Sequence, residues 1–343
     1  MRVILETEVF TSQKIKQLDL IALIKFGIDE RHLIQVKFPD SVEVHDWLNK
    51  QSDGIREECE LSFDSGYRLD SDGYGKFSPF TIKVGCVKEP QWNQKEPFLP
   101  LDIALEFLTQ PFVIFVENRR NDSAFLRATA TGWRKQELEK LLKKEWVKFE
   151  AGGGMGEILK YAEEIAEYPK KYLRHFVLFD SDAKKPKMID KKSQKVNQFC
   201  EEKFIAHHQL KRREIENYLP IFALREWTKL PNKEPKDSRI KKVKAFEELS
   251  LKQRHHFDIK KGFQGDFKAD KKEMSQEKEY QLVGDFYQNV SIEVRDILVK
   301  GFGGNIAELF KEKDFLIKEE WLHKDKSLTL ELNTMLERLL SLT

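Results

Sequence analysis

Six acidic residues follow three apolar runs of this sequence, each at the point where a β-strand would end. They are Glu117 and Asp122 after residues 112–116, Asp180 and Asp182 after residues 175–179, and Glu214 and Glu216 after residues 204–210. In an open α/β sheet, ligands bind beyond the carboxyl ends of the strands, so these positions are candidates for chemistry. Each one taken alone is equally typical of a helix cap or a surface group.

The combination of these carboxylates predicts a metal site. Several carboxylates that meet at one sheet edge repel one another and raise their own pKa values unless cations neutralise them. Oxygen ligands without a matching set of His or Cys favour Mg²⁺ or Mn²⁺ over zinc. Cys59, Cys86 and Cys200 lie far apart with no CxxC spacing, which indicates neither a disulfide framework nor a thiolate zinc site. We therefore expect Mg²⁺ or Mn²⁺ as the cofactor.

The segment that carries these residues, 111–220, alternates strand and helix patterns, which predicts an α/β domain with a mainly parallel sheet. The predicted strands are residues 112–116, 146–149, 175–179 and 204–210, and the predicted helices are residues 122–128, 156–168 and 193–203. Such a sheet would place the acidic residues together at the carboxyl ends of its strands.

The regions on either side carry weaker signals. Residues 1–110 are expected to form an α+β region for partner docking, with a β-like run at 2–10, helices at 15–26 and 101–108, and short strands and turns over 64–85. Residues 221–343 are expected to be mostly helical, with the clearest helices at 293–300, 306–315 and 328–342. We expect this second region to cap the α/β domain.

The order of short motifs in the middle of the chain resembles one known family. The motifs are Val116-Glu117, Asn121-Asp122, Phe125-Leu126, a glycine turn, Leu178-Phe179-Asp180-Ser181-Asp182, and Arg213-Glu214-Ile215-Glu216-Asn217-Tyr218-Leu219. They resemble the TOPRIM domain, in the branch found in OLD-family and related phage-defence nucleases. The resemblance covers about a third of the chain, and it implies a metal-dependent nuclease that acts in anti-phage defence.

The resemblance also implies roles for individual residues. Glu117 matches the first-strand glutamate, a metal ligand or general acid and base, while Asp180 and Asp182 match the DxD metal ligands. Glu216 matches the later glutamate of a second metal position, and Asp122 matches an additional ligand. Residues two apart on a helix do not share a face, so we prefer Glu216 and keep Glu214 as a further candidate ligand. Asn118 departs from the family, which usually has a small residue there.

The expected substrate is nucleic acid, with DNA as the first choice. The net charge is only +2, so the positive charge that holds a phosphate backbone must be collected locally. We expect it at Lys184, Lys185, Lys187, Lys211, Arg212 and Arg213. Residues 229–272 add 14 Lys and Arg against 7 Asp and Glu, interleaved with Phe246, Phe257, Phe263 and Phe267. A solvated helical surface with ordinary core aromatics explains that stretch equally well.

Other functions stay open at this point. TOPRIM domains also serve topoisomerases and primases, and a non-catalytic module that binds nucleic acid or a partner would keep the same fold. Residues 152–154, all glycine, suit either a phosphate at a helix N-terminus or a plain turn. Neither a Walker loop nor a Ser/His/Asp signature is present, which argues against ATP hydrolysis by this chain.

Partners and location follow from the resemblance and from the absence of targeting patterns. By resemblance we expect a separate ABC-type ATPase as a partner, and an oligomer stays open. Residues 1–6 lack a signal-peptide apolar region, and no apolar run approaches the roughly 20 residues that span a bilayer. We therefore expect no membrane association and a cytoplasmic location.

Overall fold

Two parallel sheets organise the fold of this chain. The computed structural model describes residues 1–72, 79–93, 95–266, 285–311 and 317–343. Within these residues the named strands form two four-stranded sheets, and every paired strand runs parallel to its neighbour. The α/β prediction is confirmed in this general form.

The first sheet has the strand order β2-β1-β3-β4. Its strands are β1 (Arg2–Leu5), β2 (Leu33–Val36), β3 (Thr81–Val84) and β4 (Phe98–Leu99). The helices of this region are α1 (Glu8–Thr11), α2 (Gln17–Ile28), α3 (Val42–Asn49), α4 (Asp53–Asp72) and α5 (Leu101–Thr109). The region therefore carries its own parallel sheet, where the sequence analysis expected an α+β arrangement.

Helix α4 replaces the first part of the strands and turns expected over residues 64–85. Its buried positions Cys59, Ser62, Phe63 and Gly66 follow helical spacing and face one side. Gly66 does not mark a turn. It lets α4 approach β2, because a Cβ at this position would lie 2.1 Å from the carbonyl oxygen of Ile34. Residues 73–78, including Gly73 and Gly75, lie outside the described residues.

The second sheet has the strand order β6-β5-β7-β8. Its strands are β5 (Phe112–Val116), β6 (Val147–Ala151), β7 (His175–Phe179) and β8 (Ala206–Gln209). The associated helices are α6 (Arg119–Thr129), α7 (Gly132–Lys143), α8 (Met155–Ala166), α9 (Pro169–Tyr172) and α10 (Lys191–Glu202). The predicted bounds of β5 and β7 are confirmed, whereas α7 was not predicted. Because the strands are parallel, their carboxyl ends share one edge.

Both faces of the second sheet are covered. Phe112 and Ile114 of β5 face a core that the sheet shares with the C-terminal region. Phe115, the next residue of β5 after Ile114, faces a separate core with Val177 of β7 and Ile158 of α8. This alternation follows the two-residue repeat of a strand. A sheet buried on both faces leaves its strand ends as the place where polar chemistry meets solvent.

The described residues of the C-terminal region are mostly helical, as predicted, and share their core with the second sheet. Its elements are a 3-10 helix (Ile215–Tyr218), α11 (Ile221–Trp227), α12 (Lys236–Glu248), α13 (Leu251–His256), α14 (Phe263–Asp266), α15 (Ile292–Ile297), a 3-10 helix (Ile306–Phe310), α16 (Glu319–Leu322) and α17 (Lys326–Ser341). Phe246, Phe257 and Phe263 are core residues. Phe267 and residues 312–316 lie outside the described parts. Of the helices in the described residues, none combines the length and apolar character needed to span a bilayer.

Candidate functional site

Glu117 and Asp180 meet at the carboxyl edge of the second sheet, although 63 residues separate them. Glu117 directly follows β5, and Asp180 directly follows the neighbouring strand β7. The backbone N–H of Asp180 donates to Oε1 of Glu117 at 3.1 Å. The predicted convergence of these two residues is therefore present in the structure.

Asp122 joins them from the first turn of α6. Asn118 caps this helix, because its side-chain oxygen accepts from the backbone N–H of Arg120 and of Asn121 at 3.1 Å each. The N–H of Asn118 in turn donates to Oδ2 of Asp122 at 2.8 Å. With a φ of −129°, Asn118 needs no glycine-like backbone. The departure from the family pattern thus supplies a helix cap that also holds Asp122.

The Asp180–Asp182 loop is fixed by the loop that follows β8. Oγ of Ser181 donates to the carbonyl oxygen of Arg212 at 2.7 Å. The backbone N–H of Asp182 donates to the carbonyl oxygen of Arg213 at 2.9 Å. Asp182 has a φ of +49°, in the left-handed region that aspartate tolerates better than most residues. These contacts align two acidic loops side by side.

Glu214 and Glu216 both reach the same neighbourhood. The N–H of Ile215, between them, donates to Oδ1 of Asp180 at 3.1 Å. Glu214 has an extended backbone, with φ −143° and ψ 166°, and caps the 3-10 helix that contains Glu216. The preference for Glu216 over Glu214 assumed that both lie on a helix, whereas Glu214 is extended. The structure therefore brings both glutamates to this edge.

Lys260 is the cation of this cluster, and the sequence analysis did not identify it. Its Nζ lies 3.0 Å from Oε2 of Glu214 and 3.5 Å from Oε1 of Glu216. Burial opposes the charged amine, but Glu214, Glu216 and Asp180 together raise the pKa of Lys260. Lys260 lies in the turn between α13 and α14, so only the fold connects it to the acidic residues.

The carboxylates carry more negative charge than this lysine neutralises. Burial, with added repulsion from Asp182 and Asp122, raises the pKa of Glu117 from 4.5 to about 7. Burial similarly raises the pKa of Asp122 to about 6 and that of Glu214 to about 7. Burial and Glu117 raise the pKa of Asp180 well above its usual range, and burial also raises the pKa of Asp182. Such perturbed groups in one place are typical of functional sites.

The donor set suits a hard divalent cation in its chemistry. Oε2 of Glu216 is buried and accepts no hydrogen bond from any described residue, and a buried carboxylate oxygen without a partner is costly. In their present positions, however, no three His, Cys, Asp or Glu side chains of the described residues form a set that could hold a metal ion.

A glycine turn supports Glu117 from the adjacent strand. The N–H of Gly153, after β6, donates to the carbonyl oxygen of Glu117 at 3.1 Å. Gly153 and Gly154 have φ values of +91° and +137°, and a Cβ at either would meet no atom within 4 Å. Glycine is therefore favoured at both positions by the backbone conformation of this strand-to-helix turn.

The expected phosphate-binding residues divide into two groups. Lys187 and Lys211 are exposed, and Lys184 and Lys185 are half-buried, beside the acidic loops. Arg212 is buried and donates to Oδ2 of Asp325 at 2.6 Å.

Arg213 is also buried, and it pairs with Asp266 at 2.7 Å and Asp258 at 3.2 Å. The expectation that Arg212 and Arg213 hold a phosphate backbone is not met, because internal carboxylates already occupy both guanidinium groups. The two arginines instead anchor the acidic loop to the C-terminal helices.

Comparison of the chain with protein-family models, with curated proteins and with solved structures finds no match.

Proposed function

We propose that this chain is a metal-dependent nuclease that hydrolyses phosphodiester bonds of nucleic acid at the edge of the second sheet. The observation that carries the proposal is the hydrogen bond between Asp180 and Glu117, which unites acidic loops from adjacent strands. Asp122, Asp182 and Glu216 are coupled electrostatically to this pair. A cluster of this kind has a physical rationale around hard cations.

Glu117, Asp180, Asp182 and Glu216 would hold Mg²⁺ or Mn²⁺, with Asp122 and Glu214 as further oxygen donors. Such an ion, when bound, lowers the pKa of a water and stabilises the charge on the leaving oxygen. Without metal, burial raises the pKa of Glu117 to about 7, so metal binding near neutral pH would displace a proton from this carboxyl.

Cations beside the cluster would position the substrate. Lys187 and Lys211 are exposed on the flanking loops, where they can contact phosphate oxygens. Such contacts hold a nucleic-acid backbone without reading its sequence, so they predict weak sequence preference and strong salt dependence. Binding to unrelated duplexes at rising salt tests this, and an affinity that ignores salt contradicts it.

A second candidate is a non-catalytic module that binds nucleic acid or a partner with this fold. Lys260 favours it, because this amine already pairs with Glu214 and Glu216. A lysine that already occupies two of the carboxylates weakens the binding of divalent ions. Calorimetric titration of the purified chain with Mn²⁺ separates the candidates, since the nuclease requires saturable binding that Asp180→Asn abolishes.

The decisive experiment measures cleavage of DNA and RNA in Mg²⁺ or Mn²⁺. Glu117→Gln and Asp180→Asn keep the size of each side chain and remove its charge, so each should lower the cleavage rate at least 100-fold. Glu163→Gln, an exposed position on α8, is the matched control and should cleave like the parent. Equal cleavage by the parent and both site variants would reject the proposal.

Several finer assignments rest on the resemblance. They are a TOPRIM domain, an OLD-like effector of anti-phage defence, DNA as substrate and a separate ABC-type ATPase partner. The proposed cytoplasmic location rests instead on the absence of targeting patterns in the sequence. Co-purification from the native host tests the partner. Product analysis tests the enzyme class, because hydrolysis leaves free strand ends whereas a topoisomerase yields relaxed closed circles and a primase yields new RNA.

A further inference from the structure

A cavity of about 530 Å³ lies beside the loop that carries Glu214 and Glu216. Arg212 and Asn217 of that loop line it, together with residues of α11, α13 and the first turn of α17. Its volume falls within the range of small-molecule sites, roughly 300–1,000 Å³.

Positive charge dominates the wall of this cavity. Asp325 is the one carboxylate among the described residues that line it, and it accepts from Arg212 at 2.6 Å. Arg254, Lys324 and Lys326 also line the cavity, and none forms an ion pair with a described carboxylate. Nε of Arg254 is buried and makes no hydrogen bond within the described residues. The wall therefore offers an anionic ligand three cations that make no direct ion pair within the described residues.

Aromatic rings form the other part of the wall. Phe222 and Trp321 lie with their planes 22° apart and their ring centroids separated by 6.1 Å. Nζ of Lys324 lies 4.0 Å from the ring centroid of Phe222, so charge and aromatic surface are adjacent. Arg225 and Lys318 also lie over these rings, each 5.3 Å from the centroid of Phe222 or Trp321 respectively. A heterocycle would therefore pack against the parts of the rings that face the cavity, with an attached phosphate beside the cations.

We propose that this cavity binds a free nucleoside phosphate. The base stacks on the Phe222 and Trp321 side, and the phosphates lie among Arg254, Lys324 and Lys326. A ligand with both a base and phosphates contacts the whole wall. Inorganic phosphate would contact only the cations, and a nucleoside would contact only the aromatic rings. A cavity of this volume is large enough for a single nucleotide.

The cavity is connected to the acidic loop by direct hydrogen bonds. Nδ2 of Asn217 donates to the carbonyl oxygen of Arg254 at 2.8 Å, and Oδ1 of Asn217 accepts from the N–H of Glu214 at 3.0 Å. Asn217 therefore joins the backbone of Arg254, whose side chain lines the cavity, to the backbone of Glu214. If the proposed nuclease function holds, on which this step alone rests, the bound nucleotide changes the cleavage rate.

Isothermal titration calorimetry of the full chain tests the binding itself, with ADP, pyrophosphate and adenosine as separate probes. We expect ADP to bind with a stoichiometry of one and more tightly than either fragment. Lys324→Ala combined with Lys326→Ala should weaken ADP at least tenfold, whereas Lys195→Ala, an exposed control on α10, should leave it unchanged. Phe222→Leu should weaken ADP and adenosine but not pyrophosphate.

The proposal is overturned if ADP does not bind, or if the double lysine variant binds ADP like the parent while its urea midpoint is unchanged. It is also overturned if a short single-stranded oligonucleotide competes with ADP and binds more tightly, because the occupant is then a strand. Binding of ADP without any nuclease activity would reject the proposed function and leave this site standing.

Discussion

Replacing Glu117 with glutamine should stabilise the metal-free protein, although the same change should abolish cleavage. Glutamine keeps the oxygen that accepts the N–H of Asp180 and removes the charge that burial and nearby aspartates oppose. A substitution at a purely structural glutamate would have the opposite sign. The stability of Glu117→Gln without metal therefore tests whether the buried carboxylate charge at this edge destabilises the folded protein.

The size of the effect follows from the pKa of Glu117. A rise from 4.5 to about 7 on folding is equivalent to about 3 kcal/mol. Because the folded state binds its proton more tightly, stability falls as pH rises from 4.5 to 7, and the full cost is present above that window. Glu117 is half-buried and lies among other carboxylates whose protonation can adjust to its charge, so we expect a gain of about 1–3 kcal/mol for Glu117→Gln at pH 8.5.

The assay is urea unfolding in EDTA at pH 5 and pH 8.5. Glu117→Gln should exceed the parent at pH 8.5, and most of that difference should vanish at pH 5. Excess Mg²⁺ should reverse the order, since the parent gains binding energy that the variant lacks. Glu163→Gln serves as the control and should match the parent throughout. A variant less stable than the parent in EDTA at pH 8.5 would refute the electrostatic reasoning.

Three further changes test other parts of the site by urea unfolding. Lys260→Met leaves two buried glutamates without their cation, so the metal-free protein should lose about 1–3 kcal/mol and bind Mn²⁺ more tightly by calorimetry. Arg213→Met strands two buried aspartates and should cost about 3–5 kcal/mol; weaker nucleic-acid binding at unchanged stability would contradict this. Gly154→Ala should cost about 1–3 kcal/mol because of its positive φ, whereas Gly156→Ala in α8 should not destabilise.

Strand ends were predictable where the apolar runs were continuous. β5 and β7 are buried on both faces. β5 is therefore a run of five apolar residues, and β7 is a run of four apolar residues after His175, so each strand has a clear end in the sequence. The acidic residue after each strand then had a definite position. Parallel pairing, which the alternation of strand and helix implied, placed Glu117 beside Asp180.

Residues that act through distant partners could not be predicted in the same way. Arg212 and Arg213 read as surface charges until the fold supplies Asp325, Asp258 and Asp266 from far along the chain. Lys260 belonged to a basic stretch with no sign of its link to the acidic loops. Local composition carries no information on such long-range pairing.

The first sheet was predicted only in part. β1 lies within the β-like run expected at 2–10 and β3 within the strands expected over 64–85, whereas β2 and β4, of four and two residues, are too short for a periodic pattern. In α4, glycine at position 66 suggested a turn, whereas its function is to admit the backbone of β2. A short strand and a packing glycine are recognised only once their neighbours are known.

The central claim is that the acidic edge of the second sheet binds a divalent cation. A crystal soaked in Mn²⁺ and measured for anomalous scattering tests it most directly. We expect a peak at coordination distance, on the order of 2 Å, from carboxylate oxygens of both Glu117 and Asp180. A well-ordered edge with no peak, and with Lys260 still bound to Glu214 and Glu216 at saturating Mn²⁺, would contradict the claim.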